Sequence, residues 1–403
     1  ICGHQHQIHP TESKHPIKME DLKVYFLNEL SRSVPKQSRQ SSYGVRNQFH
    51  KLRSAQVRSD DMDSSSSCGR DLEGMHYYMR YMLKFASIFG VFPVQGLHNR
   101  SLNKLNFSWC SLVTIYSLCL LAGFLTIEMF SLDYTIRNLN EDSLTAKGGI
   151  KRATSGSIFY GNACIAMILF IRLARQWPQL VRDWKMVELA MARFGTPRLG
   201  WRFSVMSTVL FTLAFLEHGL HNWLNTRPGG KDDITAMSTS QSGVTATPGG
   251  PVNYSIDNSL TFAGYLERFS LKTHWFLFQE QTITSYNSVI GFMIMWLALS
   301  ATFLWNFTDL FIMLISAALA AQLRMFTTGL TAARGQLFTN NEWREYREAY
   351  TLLSLLVKKV DSHINSIIML SVSSNVYFIC AQLITEIDSI KHSYFRLFYM
   401  LYS

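Results

Sequence analysis

A single carboxylate stands inside the most apolar stretch of this chain. From Val289 to Leu323 the sequence carries no charge except Asp309 and no proline, and Trp305 lies four residues before that acid. On a helix the two share a face. A carboxylate at bilayer depth is costly, so Asp309 must face protein or water. There it can accept hydrogen bonds from a ligand, or clamp two helices together. Trp305 can stack on a flat apolar surface or fill the core. Three further pairs lie in or beside apolar stretches: Glu217 with His218, Tyr160 with Asn162, and Tyr377 with Gln382. They offer carboxylate, imidazole, phenol and amide groups. A few such groups on apolar walls are what orients a small molecule in a pocket, and each pair can equally serve packing alone. None is set up for covalent chemistry: no nucleophile–base pair or metal set stands out. Glu217, His218 and His221 lack the helical His-Glu-x-x-His spacing of a zinc site.

The elements that must hold these residues are long apolar helices. Val289–Leu323 would extend about 50 Å as a helix, more than the roughly 30 Å of hydrocarbon, so it reads as one tilted span that emerges into water. Further spans are expected at about 107–130, 156–173, 201–220 and 364–384, with the start of a sixth at 394–403 after a short loop over 386–393. Trp343, Tyr346, Tyr350, Leu353, Leu356, Val357 and Val360 recur at helical spacing ahead of the fifth span. The fourth and fifth helices therefore project beyond the membrane and pack as a hairpin. The fold class is all-α: a polytopic membrane helix bundle. The chain is 48% hydrophobic and only 16% charged, as such a bundle with soluble tails should be.

Residues 1–74 are polar, with a run of serines over 64–67, and read as a disordered tail; 75–403 form the transmembrane domain. His4, His6, His9 and His15 belong to that solvated tail rather than to a metal site. Met75–Leu97, with Arg80 and Lys84 four apart, reads as an amphipathic helix on the membrane surface, ended by Gly90 and Pro93. Tyr265–Glu280 reads as a short aromatic helix capping the bundle. Arg172, Arg175, Arg182, Lys185, Arg193, Arg198 and Arg202 make the segment after the second span the densest basic region, hence cytoplasmic. That puts the N-terminus in the cytoplasm and Glu217 and His218 outside. It also accounts for the net charge of +10 without nucleic acid. Asn253-Tyr254-Ser255 is a glycosylation sequon in the expected outer loop, whereas those at Asn106 and Asn306 fall at spans. The six cysteines have neither zinc spacing nor a disulfide framework and read as buried thiols. The chain opens on Ile1 and not on methionine, so its true N-terminus is expected further upstream; residues 1–20 have no apolar core of a signal peptide.

Four stretches, in this order, resemble the insect gustatory receptors, specifically the sugar-receptor (trehalose-receptor) branch. They are His76 with Ala86-Ser87-Ile88-Phe89-Gly90-Val91-Phe92-Pro93-Val94-Gln95-Gly96; Trp177-Pro178 with Trp184 and Glu188; Leu216-Glu217-His218; and Ala301-Thr302-Phe303-Leu304-Trp305-Asn306-Phe307-Thr308-Asp309-Leu310-Phe311-Ile312. The resemblance covers Met75 to the last residue. It implies a seven-span plasma-membrane protein with a cytoplasmic N-terminus and no enzymatic activity. It further implies a sugar-gated cation channel built as a homo- or hetero-tetramer with other gustatory receptor subunits, in contact with membrane lipid and needing no cofactor. In that family the last span lines the pore, with Thr-Tyr and a downstream Gln; no such segment is present here, and Tyr394-Phe395 matches the start of the sixth span. The chain is therefore expected to be a fragment. Gln322-Leu323 departs from a more basic and aromatic pattern expected at that point. A sugar is neutral and covered with hydroxyls, and binds by stacking on an aromatic ring with amides and carboxylates at the rim. Under this resemblance Glu217, His218, Trp305 and Asp309 are the leading ligand candidates, with Tyr160, Asn162, Tyr377 and Gln382 behind them. A membrane transporter or another multi-span receptor is the alternative; a transporter should show paired, interrupted spans in two halves, and no such repeat is visible.

Overall fold

Among the described residues seven α-helices carry the architecture. The computed structural model describes residues 74–97, 102–138, 149–197, 199–226, 261–278, 286–335 and 339–402. The N-terminal tail, its four histidines and the Asn253 sequon lie outside these residues. The helices are α1 (Met75–Ile88), α2 (Leu112–Asn138), α3 (Gly149–Met191), α4 (Gly200–Thr226), α5 (Phe262–Thr273), α6 (Ser288–Ala332) and α7 (Asn340–Tyr402). Among the described residues there is no strand, only an isolated antiparallel bridge between Gln95 and Asn106. Among the described residues five helices (α2, α3, α4, α6 and α7) are long and apolar enough to cross a membrane.

The length of these helices follows from what their sequences lack. Asn340–Tyr402 contains neither glycine nor proline, and Ser288–Ala332 contains no proline. Nothing in either run removes a backbone donor, and the two glycines of Ser288–Ala332, Gly291 and Gly329, stand within a turn of its ends. The loop expected over 386–393 is therefore helical backbone instead: Glu386-Ile387-Asp388-Ser389-Ile390-Lys391-His392-Ser393 is polar, but polarity alone does not break a helix. At 1.5 Å per residue α6 reaches about 68 Å and α7 about 95 Å, well beyond the hydrocarbon. Their starts are capped. The Asn287 side chain accepts from the Val289 N–H at 3.0 Å. Thr339 and Glu342 form a capping box, with the Thr339 N–H donating to Glu342 at 2.7 Å and the Glu342 N–H donating back to Thr339 Oγ1 at 3.4 Å.

Burial is inverted on the outer faces, as expected of helices solvated by hydrocarbon. Leu112, Ile115, Leu118, Leu125, Met129, Leu132 and Ile136 are exposed along α2, and Met369, Val372, Val376, Ile379 and Leu383 along α7. The interior is aromatic. Phe92, Phe170, Trp177, Phe307 and Phe311 are fully buried in mutual ring contact at 5.1 to 6.4 Å between centroids. Phe92 joins this core from an unusual place. It sits at φ 66°, between the left-handed Gly90 and Gly96, in the short segment after α1. The α1 helix is amphipathic as expected, with its apolar face packed into the bundle. Met79, Leu83 and Ala86 are fully buried, and Phe85 packs on Phe211 of α4 and Phe303 of α6 at 5.5 Å each. Its first turn is held from afar: the Met75 N–H donates to Glu188 Oε1 on α3 at 2.8 Å. A Cβ at Gly74 would lie 2.1 Å from the other carboxylate oxygen, so a larger residue there would have to displace the Glu188 side chain.

At one end of the bundle α6 and α7 form the expected hairpin, tied to α3. Phe326 contacts Tyr346 and Tyr350 across the hairpin, Phe194 packs against both Phe326 and Tyr346, and Arg193 pairs with Glu345 over the Tyr346 ring. Lys359 on α7 pairs with Asp183 on α3. The opposite end is covered by α5 and the turn Trp275–Leu277, as the aromatic stretch there implied; Phe269, Phe276 and Leu277 are buried.

Candidate functional site

Two polar clusters lie between the helices, one at the middle of α6 and α7 and one toward the end covered by α5. The first joins α6 to α7. Trp305 Nε1 donates to Asn375 Oδ1 at 3.1 Å, Asn375 Nδ2 donates to Asp309 Oδ2 at 3.4 Å, and Ser371 Oγ donates to Asp309 Oδ1 at 2.5 Å. Each partner pair comes from a four-residue step: Trp305 and Asp309 on one helix, Ser371 and Asn375 on the other. Two such faces in register give a four-member ladder. Both Asp309 oxygens thus have donors within the protein, which is how a carboxylate is tolerated at this depth. The Trp305 ring lies 4.4 Å from Phe378 and 6.2 Å from Phe159 on α3. Nearby, the Tyr377 hydroxyl bonds Thr154 on α3 at 2.7 Å.

The second cluster joins α3 to the cap. The Tyr160 hydroxyl meets His274 Nε2 at 2.6 Å, and His274 Nδ1 meets Thr273 Oγ1 at 2.7 Å. Thr273 spends its own proton on the Phe269 carbonyl, at 2.5 Å. Its hydroxyl oxygen must then accept from Nδ1–H, leaving Nε2 to accept from Tyr160. The imidazole is neutral in this chain, and burial pushes the His274 pKa down to about 4. Tyr160 is 2% exposed and His274 5%, so the hydroxyl–imidazole bond is wholly internal.

Two acceptors on or against α3, near Tyr160, have no donor among the described residues. Glu128 of α2 rests one oxygen against Gly161; its other oxygen, Oε2, is buried and has no donor among the described residues. Asn162 Oδ1 is likewise buried without a donor. Native interiors rarely leave such atoms unpaired.

The sequence candidates therefore separate. Trp305 and Asp309 share one ladder, Tyr377 is bonded one helix turn from it, and Tyr160 and Asn162 are on the facing helix. Glu217 is exposed on α4, a helix whose span is almost wholly uncovered, and Gln382 is exposed on α7. Neither meets the clusters, and His218, next to Glu217, shares that α4 position. The sequence reading missed His274, Glu128, Ser371 and Asn375. The four-residue step from Ser371 to Asn375 was a usable signal; the 114-residue separation of Tyr160 and His274 was not. A cavity of about 470 Å3 opens elsewhere, between α1 and α4, lined by Tyr77, Tyr78, Tyr81, Phe85, Phe203 and Phe211 among others; no sequence candidate lines it.

The model of the trehalose receptor family matches residues 60–225 and 252–403. Among relatives from Drosophila melanogaster, the gustatory receptor for sugar taste 64f is 27% identical over 90% of this chain and 69% of its own length. The gustatory receptor for sugar taste 64a is 24% identical over 80% of this chain and 64% of its own length. The gustatory receptor 5a for trehalose is 24% identical over 81% of this chain and 67% of its own length. The chain thus spans about two thirds of the length of these relatives.

Proposed function

The chain belongs to the trehalose receptor family, and from that premise we propose that it is a taste-receptor subunit that detects a small sugar and gates a cation-permeable channel. It would work in the plasma membrane of taste neurons, N-terminus in the cytoplasm, as a tetramer with copies of itself or with other gustatory receptor subunits. The α6–α7 hairpin and its Arg193 and Lys359 contacts then lie in the cytoplasm, and the cluster under α5 lies toward the outside.

The observations that support the ligand reading are the open acceptors Glu128 Oε2, set against α3 at Gly161, and Asn162 Oδ1, together with Phe159 on the same stretch of α3, whose ring meets Trp305, which in turn meets Phe378. Sugar hydroxyls supply donors to the first two, and the rings supply an apolar face for the sugar's C–H surface. A further hydroxyl can replace Ser371 on Asp309, an exchange of one O–H donor for another that costs little. Such an exchange loosens the ladder between α6 and α7. Both helices run unbroken from this level to the hairpin, so a change in their packing is carried along rigid rods. Gating requires only that the sugar bind the open packing more tightly than the closed one.

The test is sugar-evoked current from the receptor expressed with a partner subunit, with surface delivery measured in parallel. Glu128→Gln, Trp305→Ala and Asp309→Ala should each raise the half-maximal sugar concentration at least about tenfold, the equivalent of one lost hydrogen bond or stacked ring. Glu217→Ala is measured alongside them. Unchanged responses in the first three, with a shift only in Glu217→Ala, would place the sugar at the exposed end of α4 instead.

A further inference from the structure

The outer face of α3 carries one continuous exposed stripe: Ile165, Ile168, Arg172, Arg175, Gln179 and Arg182. The steps of three and four keep these residues on one side of the helix. The residues facing the other way, Phe170, Leu173, Ala174 and Trp177, are fully buried. Ile165 and Ile168 are half exposed, as lipid-facing residues should be. One turn later, about 6 Å along the axis, the stripe becomes guanidinium. It changes from aliphatic to cationic where the span leaves the hydrocarbon.

The neighbouring helix continues the pattern. Thr154 bonds Tyr377, and Asp183 pairs with Lys359, so α7 runs antiparallel to α3 along this face. Exposed Met369 and Val372 on α7 then stand at the level of Ile165 and Ile168, and His363 at the level of Arg172. Arg172, Lys359 and Asp183 all act electrostatically on His363, which places them together. The acids at this level do not neutralise the stripe. Asp183 is held by Lys359. Asp361 is exposed on α7 and forms no ion pair with Arg172 or Arg175 among the described residues. Arg182 directs its Nε to the Pro178 carbonyl at 2.9 Å, which leaves its terminal nitrogens for solvent or a ligand.

We propose that this stripe is a binding surface for an acidic phospholipid, with acyl chain along Ile165 and Ile168 and headgroup phosphate between Arg172 and Arg175. The argument is complementarity on both counts. A soluble phosphate would satisfy the guanidinium forks but leave the adjoining aliphatic stripe unused. A zwitterionic lipid such as phosphatidylcholine would cover the stripe and present a phosphate, but its own quaternary ammonium offsets that charge, so it meets the paired cations less favourably than a lipid of net negative charge. The inference rests on α3 spanning the membrane and not on sugar binding. With the orientation proposed above, the leaflet is the cytoplasmic one, where acidic lipid is concentrated.

The experiment titrates fluorescent phosphatidylserine and phosphatidylcholine into the whole purified chain in neutral detergent, without sugar, so its result is independent of the taste reading. Phosphatidylserine should bind more tightly. Arg172→Gln with Arg175→Gln should weaken it about 30-fold, about fivefold per cation, while Arg202→Gln with Arg334→Gln, an equal loss of charge elsewhere, should leave it unchanged. The preference in the unaltered chain should shrink as salt is raised from about 50 to 300 mM, a measurement that holds even if the double variant does not fold. Glycerophosphoserine should compete only at far higher concentration. A preference that survives the double variant or is indifferent to salt overturns the proposal. So does displacement by the soluble headgroup at equal concentration, or crosslinking of two chains through Arg172 and Ile168.

Discussion

Removing the Asn375 side chain should loosen the contact between α6 and α7 by an amount that can be worked out. Its Oδ1 is the acceptor for the Trp305 indole, at 3.1 Å, and its Nδ2 is a donor to Asp309, at 3.4 Å. Asn375→Ala deletes both bonds and leaves the indole N–H without its acceptor. Asp309 keeps Ser371, so no bare carboxylate results. Side-chain hydrogen bonds between membrane helices contribute on average about 0.6 kcal/mol and at most about 1.7, so two of them are worth about 1 to 3 kcal/mol. Trp305→Phe removes only the first and should cost about half as much from hydrogen bonding, with some added loss from the smaller ring. The two variants share one bond, so their effects should not add: the double variant should fall short of the sum by about 0.5 to 1 kcal/mol. The assay is equilibrium unfolding in mixed micelles, followed by circular dichroism. Strict additivity of Trp305→Phe and Asn375→Ala, or wild-type stability in Asn375→Ala, would refute the ladder as a tie between the helices.

Stability should also fall on mild acidification. Burial lowers the pKa of His274 from 6.5 to about 4, and burial with the nearby Arg80 charge does the same to His76. Both are neutral when folded and take up protons near 6.5 when unfolded, so the folded state is favoured fully above pH 6.5 and loses ground down to pH 4. At pH 5 each contributes a loss of about 2 kcal/mol, read as a lower melting temperature than at pH 7.5; equal melting temperatures at the two pH values would count against neutral burial. Gly96→Ala should be among the most damaging glycine changes: φ is +81° and the new Cβ would lie 2.1 Å from the Lys104 carbonyl oxygen, while Gly195→Ala, at φ +117° but with nothing within 4 Å, should cost only the strain, about 1 kcal/mol. Comparable melting temperatures for the two variants would show that the Gln95–Asn106 bridge gives way easily.

The long helices were readable before any coordinates because hydrocarbon imposes a simple rule: apolar residues must continue for about 20 positions, and every backbone group must be satisfied within the segment. The same rule exposed Asp309. Reading the end of α7 failed for the complementary reason. Polar residues over 386–393 suggested a loop, but a helix ends where its hydrogen bonding is interrupted, and no residue there interrupts it. The amphipathic pattern of Met75–Leu97 stated only that one face is covered, not by what. Here Phe211, Phe303 and the aromatic core cover it.

Sequence alone determined which residues share a helix face: Trp305 with Asp309, Ser371 with Asn375, and the arginines of α3 with Ile165 and Ile168. Spacing along a helix is a local property, set by 3.6 residues per turn. Only the tertiary structure decided which faces meet. It left Glu217 on an uncovered helix, brought His274 to Tyr160 across 114 residues, and left Glu128 and Asn162 holding open acceptors inside the bundle. Contacts between distant segments are set by how whole helices pack, and no pattern within one segment encodes its neighbour.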